Sequence, residues 1–320
     1  MVTAAVPGNQ FRHLALLYHG RGEYLSALRA FVQACAARGD AVFVAVPRRK
    51  AQLVRQELGD DPAHVTLADM AELGRNPARI IPAVLSYASQ HRGQNVCFIG
   101  EPIWPGRTAA EIQEATRHEA LINLAFRDSP VTVLCPYDGV RLSESVLADA
   151  ACTHPAVIRD RQEMASVSYL RPPDLPPRCN RALSPPPAHA EALGYRDDLR
   201  PVRSFVASRA RRAGLTPLRI PDLVLAISEL AANTLHHTGG GGTVHFWRTS
   251  DRIICQVSDT GQITDPLARH RLPPDEELGG KGLWLVNQVC DLVQARTGHA
   301  GTVTRLHMRT ASARRRQARP

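Results

Sequence analysis

Three short blocks near the C-terminal end carry residue types that chemistry uses: SELAANTLHHTGG (228–240), VSDTG (257–261) and GGKGLWLVNQ (279–288). In the first, Glu229 and Asn233 stand four residues apart, which on a helix puts them on one face, a turn from each other. An asparagine amide oxygen is a neutral, hard ligand that coordinates Mg²⁺ without adding charge beside a triphosphate. A carboxylate one turn earlier can take the proton of an attacking hydroxyl or water. In the second block Asp259 closes an apolar run and precedes Gly261. A carboxylate so placed can accept from an exocyclic amine such as that of adenine, and the glycine lets the backbone approach a ring. In the third, Gly279, Gly280 and Gly282 leave N–H groups open ahead of a helix, where phosphate sits well, and Lys281 adds a point charge. It is not a Walker A loop, because no Ser or Thr follows the lysine. Each block alone also has a plain reading, as a solvated helix face, an Asx turn and a flexible loop. Their order and separations together favour a nucleotide site.

Those residues need elements to hold them. PDLVLAISELAANTLHH (221–237) reads as a helix opened by Pro221, with Leu223, Ile227, Leu230 and Thr234/Leu235 as its buried stripe. Asp222, Glu229, Asn233, His236 and His237 fall on a different face. DDLRPVRSFVASRARRAGL (197–215) is an amphipathic helix closed by Gly214. TVHFWRT (243–249), RIICQVSD (252–259) and TVTRLHMR (302–309) read as strands, and GLWLVNQVCDLVQAR (282–296) as a helix. The sum is an α+β sandwich with helices on one face. The N-terminal half has another rhythm. LALLY (14–18), VFVAV (42–46), VCFI (96–99) and VTVLC (131–135) read as buried strands, with helices such as EYLSALRAFVQACAARG (23–39) and AAEIQEATRHEALINLAF (109–126) between them. That alternation predicts an α/β domain with a mainly parallel sheet. The proline-rich stretch 171–190 reads as an extended linker, so the expected organisation is 1–170, linker 171–190, 191–310 and a basic tail 311–320.

A chain of 320 residues with 44% hydrophobic and 22% charged residues is long and apolar enough for two globular cores. It has no run of 18 apolar residues and no charged start ahead of an apolar core, so neither a membrane span nor a signal peptide is expected, and the cytoplasm is the expected location. The seven cysteines are odd in number, scattered and mostly set in apolar runs, which reads as reduced, buried thiols. Cys152 and His154 form the one close Cys/His pair, and with no further ligands nearby in sequence an ordinary loop is the expectation there. The net charge of +9 is swollen by Arg314, Arg315, Arg316 and Arg319 in the terminal tail, which reads as solvated. No zinc spacing, helix-turn-helix pattern or aromatic-and-basic interleaving supports direct nucleic-acid binding.

With the three blocks in view, residues 197–309 resemble the anti-sigma regulatory factor (serine/threonine kinase) branch of the GHKL ATPases. The resemblance implies ATP and Mg²⁺ as cofactors, Glu229 as catalytic base and Asn233 as Mg²⁺ ligand. It implies adenine recognition by Asp259 with Gly261, phosphate contacts by Gly280, Lys281 and Gly282, ATP binding by Leu283, and a nucleotide-side contact from Thr302. The implied partners are an anti-anti-sigma (STAS-type) protein as phosphorylation substrate and a sigma factor. The alternative is a non-catalytic ATP-binding module that sequesters its protein partner. The segment 262–278 is short, so any lid is small, and no helix pair bearing a phospho-acceptor histidine is present, which makes His236 and His237 residues of the box. The four glycines 239–242 are legible only as a loose loop. Whether the chain forms a homodimer is open at this level.

The N-terminal half has its own resemblance. HLALLY (13–18), DMAELGRNPARIIP (69–82), GEPIWPGRTAAEIQEATRHEALINLAF (100–126), LCPYD (134–138) and THP (153–155) are similar to the MEDS sensory domain. That implies a small ligand, hydrocarbon-derived compounds among the candidates. Arg75, Asn76, Arg79, Glu101, Arg107, Glu111, His118, Glu119 and Asn123 are polar against apolar surroundings. Arg75, Asn76, Glu101, Arg107, His118 and Glu119 are the candidate pocket; buried ion pairs that fix the fold are the competing reading. His118-Glu119 does not open an HExxH motif, since position 122 is Ile.

Overall fold

The computed structural model describes residues 10–58, 65–172, 174, 176, 179, 181–270 and 281–310. The chain divides into two compact units, Met1–Asn180 and Arg181–Pro320. The basic tail 311–320, part of the linker, and Gly279 and Gly280 of the third block lie outside the described residues.

The first unit alternates strand and helix: β1 (Arg12–Tyr18), α1 (Arg21–Ala37), β2 (Ala41–Val46), α2 (Arg48–Leu58), β3 (Val65–Asp69), α3 (Met70–Leu73), α4 (Ile80–Gln90), β4 (Val96–Gly100), α5 (Ala109–Ala125), β5 (Val131–Asp138), α6 (Glu144–Thr153), β6 (Ala156–Arg159) and β7 (Gln162–Ala165). The sheet order is β3-β2-β4-β5-β1-β6-β7, parallel throughout except for β7, which runs antiparallel to β6. The central strands are short Val/Ile/Leu-rich runs because both sheet faces are covered. One face carries Leu14, Leu16, Val42, Val44 and Ile99 against Leu25, Leu28, Phe31 and Val32 of α1. The opposite face, reached by the alternate residues of each strand, carries His13, Phe43 and Cys135; Phe43 stacks on Tyr87 of α4 at 5.0 Å. α1 stops at Gly39, at a φ of +75° that a side chain would disfavour. α5 starts on a capping box: Thr108 Oγ1 accepts from the Glu111 N–H, and the Glu111 carboxylate accepts from the Thr108 N–H. Glu111 therefore has a local helix-starting task.

One expectation about the cysteines is corrected here. Cys35 of α1 and Cys97 of β4 are joined in a disulfide, whereas Cys135, Cys152, Cys179, Cys255 and Cys290 are thiols. A helix laid on a strand brought together two positions 62 residues apart.

Among the described residues, the second unit is a five-stranded antiparallel sheet, ordered β11-β12-β10-β9-β8, under three helices. Its elements are β8 (Glu191–Tyr195), α7 (Arg200–Arg212), α8 (Ile220–Thr238), β9 (Gly242–Arg248), β10 (Arg252–Asp259), α9 (Lys281–Val289), β11 (Leu292–Gly298) and β12 (Gly301–Arg309). One core joins Val202 and Val206 of α7, Leu223, Ile227 and Leu230 of α8 and Val286 of α9 to Val244, Phe246, Ile253, Cys255, Val257, Val293, Leu306 and Met308 of the sheet. The sheet residues alternate, so the helices share one face. The helix expected over 282–296 is shorter: α9 ends at Val289, and 292–298 is β11, hydrogen-bonded along β12. Leu292, Val293 and Ala295 suit helix or strand locally, and the free edge of β12 decides between them.

Candidate nucleotide site

α8 sets the first part of the site. Its stripe Leu223, Ile227 and Leu230 is anchored in the core, which fixes the rotation of the helix and leaves Glu229 and Asn233 half-buried one turn apart. β10 delivers Asp259 at its C-terminal end, with Thr302 of β12 as its register partner. These elements enclose a cavity of about 160 Å³, lined among others by Asn233, Thr234, Asp259, Gly261, Leu283 and Thr302. A more open hollow of about 770 Å³ runs along Tyr195, Gly241, Ser258 and Asp259. The smaller one is the site candidate, because residues from all three sequence blocks meet there.

Asp259 is held at both oxygens. Its Oδ1 accepts from the Gly261 N–H at 2.8 Å, and its Oδ2 accepts from the Thr234 hydroxyl at 2.8 Å. The Tyr195 hydroxyl in turn donates to Thr234 Oγ1 at 3.0 Å. Burial pushes the Tyr195 pKa up, which keeps that phenol a donor. A half-buried carboxylate with two fixed donors is pre-aimed, with lone pairs to spare for a ligand amine. Gly261 is fixed from the other side: the Thr302 hydroxyl donates to its carbonyl at 2.7 Å, and Thr302 Oγ1 also lies 2.8 Å from Thr297 Oγ1. A Cβ on Gly261 would come within 2.9 Å of Thr238 Cγ2 and 3.0 Å of Asp259 Oδ1. Gly301, at φ +113°, has no room for a Cβ against the carbonyl of Asp259.

The third block meets the first across the helix pair. Gly282, in the first turn of α9, lies against Glu229 so closely that a Cβ there would collide with the Glu229 carboxylate. Lys281 is exposed at the start of the same helix, and Leu283 lines the cavity. Gly280 lies outside the described residues. Residues of these types fit a nucleotide with its metal ion: a fixed acceptor, a neutral oxygen ligand on the same cavity, and glycines where side chains would intrude.

Sequence reasoning passed over Tyr195, Thr234, Thr238 and Thr297. Thr234 was legible only as a member of the apolar stripe, and its role in holding Asp259 depends on β10 lying beside α8. The glycine run also gains a reason. Gly239 caps α8 in the left-handed region at φ +61°, and Gly241 and Gly242 sit so close to Tyr195 that a Cβ at either would strike it.

Of the six candidate pocket residues in the first unit, Arg107 and Glu119 lie near His118. Glu101 follows β4 and is ringed by Lys50, which pairs with it, and by the hydroxyls of Tyr18 and Tyr24, which donate at 3.4 and 3.2 Å. The Lys50 ammonium also lies over both tyrosine rings, 4.8 and 4.5 Å from their centroids. Burial drives the Glu101 pKa up to about 7 despite Lys50. Asn76 caps the turn Pro77–Arg79 by accepting from the Ala78 N–H. Arg107 donates to the Gly74 carbonyl and stacks on Trp104 at 4.1 Å. Burial lowers the His118 pKa to about 4. Glu119 lies with His13, Cys135 and His154. Arg75 is half-buried beside Asn76 in the turn that follows α3.

An antiparallel sheet under three helices, with these boxes around one cavity, defines the class: residues 195–308 match the family described as "Histidine kinase-like ATPase domain". Residues 12–155 match "MEDS: MEthanogen/methylotroph, DcmR Sensory domain". The "Serine-protein kinase RsbW" of Halalkalibacterium halodurans is 33% identical over 120 residues, covering 34% of this chain and 70% of that protein. The chain thus belongs to the histidine kinase-like ATPases, with a MEDS domain ahead of an ATPase domain that is similar to this serine kinase. Among solved structures, one ATPase domain aligns at 12% identity and a TM-score of 0.30, over 47% of this chain and 68% of its own. Among the described residues, no helix is long and apolar enough to cross a membrane.

Proposed function

We propose that the chain is a cytoplasmic, signal-responsive anti-sigma factor that phosphorylates a serine or threonine of an anti-anti-sigma (STAS-type) protein and binds a sigma factor when that protein is unavailable. The observation that carries this reading is the placement of Glu229 and Asn233 one turn apart on α8, with Asn233 on the cavity that Asp259 closes. ATP, held with Mg²⁺ at Asn233, supplies the phosphoryl group. Asp259 and Gly261 hold the adenine, Thr302 supports them, Leu283 lines the nucleotide cavity, and Gly280, Lys281 and Gly282 receive the phosphates. Glu229 orients the partner's hydroxyl and takes its proton. The work is positioning and charge neutralisation, as in phosphoryl transfer generally. The first unit gates the second by binding a small ligand with different affinity in two conformations.

The test is incubation of the full chain with Mg²⁺, labelled ATP and candidate STAS-type proteins, reading label on the partner. Transfer that vanishes in Glu229→Gln, with ATP binding retained, is expected. ATP binding without transfer to any partner would replace this reading with that of a non-catalytic module sequestering its partner.

A further inference from the structure

We propose that the first unit holds a divalent metal ion of the zinc class, ligated by His13, Glu119, Cys135 and His154. The four come from separate elements. His13 lies on β1, Cys135 on the neighbouring parallel strand β5, Glu119 on α5, which packs over them, and His154 at the C-terminal cap of α6. His13 pairs with Val133 in register, so Cys135, two residues on, projects from the same face as His13.

Their candidate ligand atoms all lie within 4.8 Å of one another. Glu119 Oε2 is 3.0 Å from His13 Nε2, 3.3 Å from Cys135 Sγ and 3.5 Å from His154 Nε2, and Cys135 Sγ is 3.5 Å from His13 Nε2. Tetrahedral zinc with bonds of about 2.0–2.3 Å places its ligands about 3.3–3.8 Å apart. These separations of 3.0–3.5 Å are close to metal-site spacing, and the remaining pairs lie within 4.8 Å. All four residues are at most 2% exposed, so bulk solvent does not reach them.

Hydrogen bonding around the cluster sets the direction of the lone pairs. Asn123 donates its amide nitrogen to the carbonyls of Thr153 at 2.8 Å, Glu119 at 3.3 Å and Ala120 at 3.3 Å. Its oxygen therefore faces His13 Nδ1, at 3.1 Å, and an amide oxygen only accepts. The Nδ1 of His13 carries the proton, and the Nε2 of the neutral ring presents a lone pair. His154 repeats the pattern: its Nδ1 donates to the Ala150 carbonyl at 2.8 Å, and its Nε2 has no hydrogen-bond partner. Two imidazole lone pairs, a carboxylate and a sulfur converge on one enclosed point. A cation at that point satisfies all four, and histidines oriented through their other nitrogen are what metal sites use. The donor set of two nitrogens, one oxygen and one sulfur suits zinc and disfavours Mg²⁺ or Ca²⁺. Binding requires Cys135 as thiolate, so one thiol proton leaves to solvent as the metal enters. The sequence hides the site because its ligands are separated by 106, 16 and 19 positions in chain order, from His13 to Glu119, Cys135 and His154.

The experiment uses the full chain, purified reduced and free of any histidine tag. Elemental analysis is expected to find about one zinc-class ion per chain. Removal by chelator followed by titration with Co²⁺ should give tetrahedral d–d bands and a sulfur-to-cobalt charge-transfer band. Cys135→Ser should abolish the charge-transfer band while d–d absorption remains, and His154→Ala should weaken Co²⁺ binding by at least about tenfold. The wild-type titration stands by itself should a variant fail to fold, and circular dichroism identifies such a failure. Neither metal in the purified chain nor a Co²⁺ spectrum in the stripped chain would overturn the proposal, leaving a hydrogen-bonded buried cluster. A charge-transfer band that persists in Cys135→Ser would overturn it as well.

Discussion

Thr234→Val separates packing from hydrogen bonding at the heart of the nucleotide site. Thr234 is 2% exposed, so valine fills nearly the same space, and what disappears is the hydroxyl. That hydroxyl donates to Asp259 Oδ2 at 2.8 Å and accepts from Tyr195 at 3.0 Å. A hydrogen bond to a charged group is worth roughly 1.5–3 kcal/mol, and a buried donor left without an acceptor costs roughly 1–3 kcal/mol more. The two losses share one atom and do not add fully, so the second unit should lose roughly 2–4 kcal/mol of stability. Asp259 keeps the Gly261 N–H but loses its second tether, and ATP affinity should fall roughly tenfold or more, each factor of ten being about 1.4 kcal/mol. Equilibrium binding of a fluorescent ATP analogue and urea unfolding of the full chain read the two effects separately. Thr234→Ser, which keeps the hydroxyl, should retain affinity at a small packing cost. Equal weakening by Val and Ser, or affinity within about twofold of wild type in Val, would refute this role of the hydroxyl.

Two further outcomes follow from geometry elsewhere. Gly282→Ala places a methyl against the Glu229 carboxylate, whereas alanine in a helix is favoured over glycine by about 1 kcal/mol. The thermal midpoint should hold or rise while transfer to the partner falls toward that of Glu229→Gln, and parallel losses of both would count against the Glu229 contact. Glu101, with its pKa raised from 4.5 to about 7, gives the first unit stability that is complete below pH 4.5 and lost as pH rises through about 7, an effect of about 3 kcal/mol. The difference in unfolding free energy between wild type and Glu101→Gln, in which other buried groups such as His118 cancel, should change by that amount between pH 4.5 and 7.5; a flat difference would contradict it.

Residue order is enough for the parts of this protein whose signals are local. Apolar runs at strand length, helices with period 3.6 and stops such as Gly39 and Gly214 set out both folds, because periodicity and φ preferences act within a few residues. The Glu229–Asn233 pair was legible for the same reason, since four residues on a helix is a fixed distance. Packing settled whatever depends on neighbours remote along the chain. The edge of β12 turned 292–298 from helix into strand, and the packing of α1 on β4 brought Cys35 to Cys97. The approach of β10 to α8 made Thr234 the hydroxyl that holds Asp259. His154, two residues from Cys152 in the sequence but grouped in space with His13, Glu119 and Cys135, follows the same rule: a polar group's partners are set by which elements pack together, and no spacing along the chain records that.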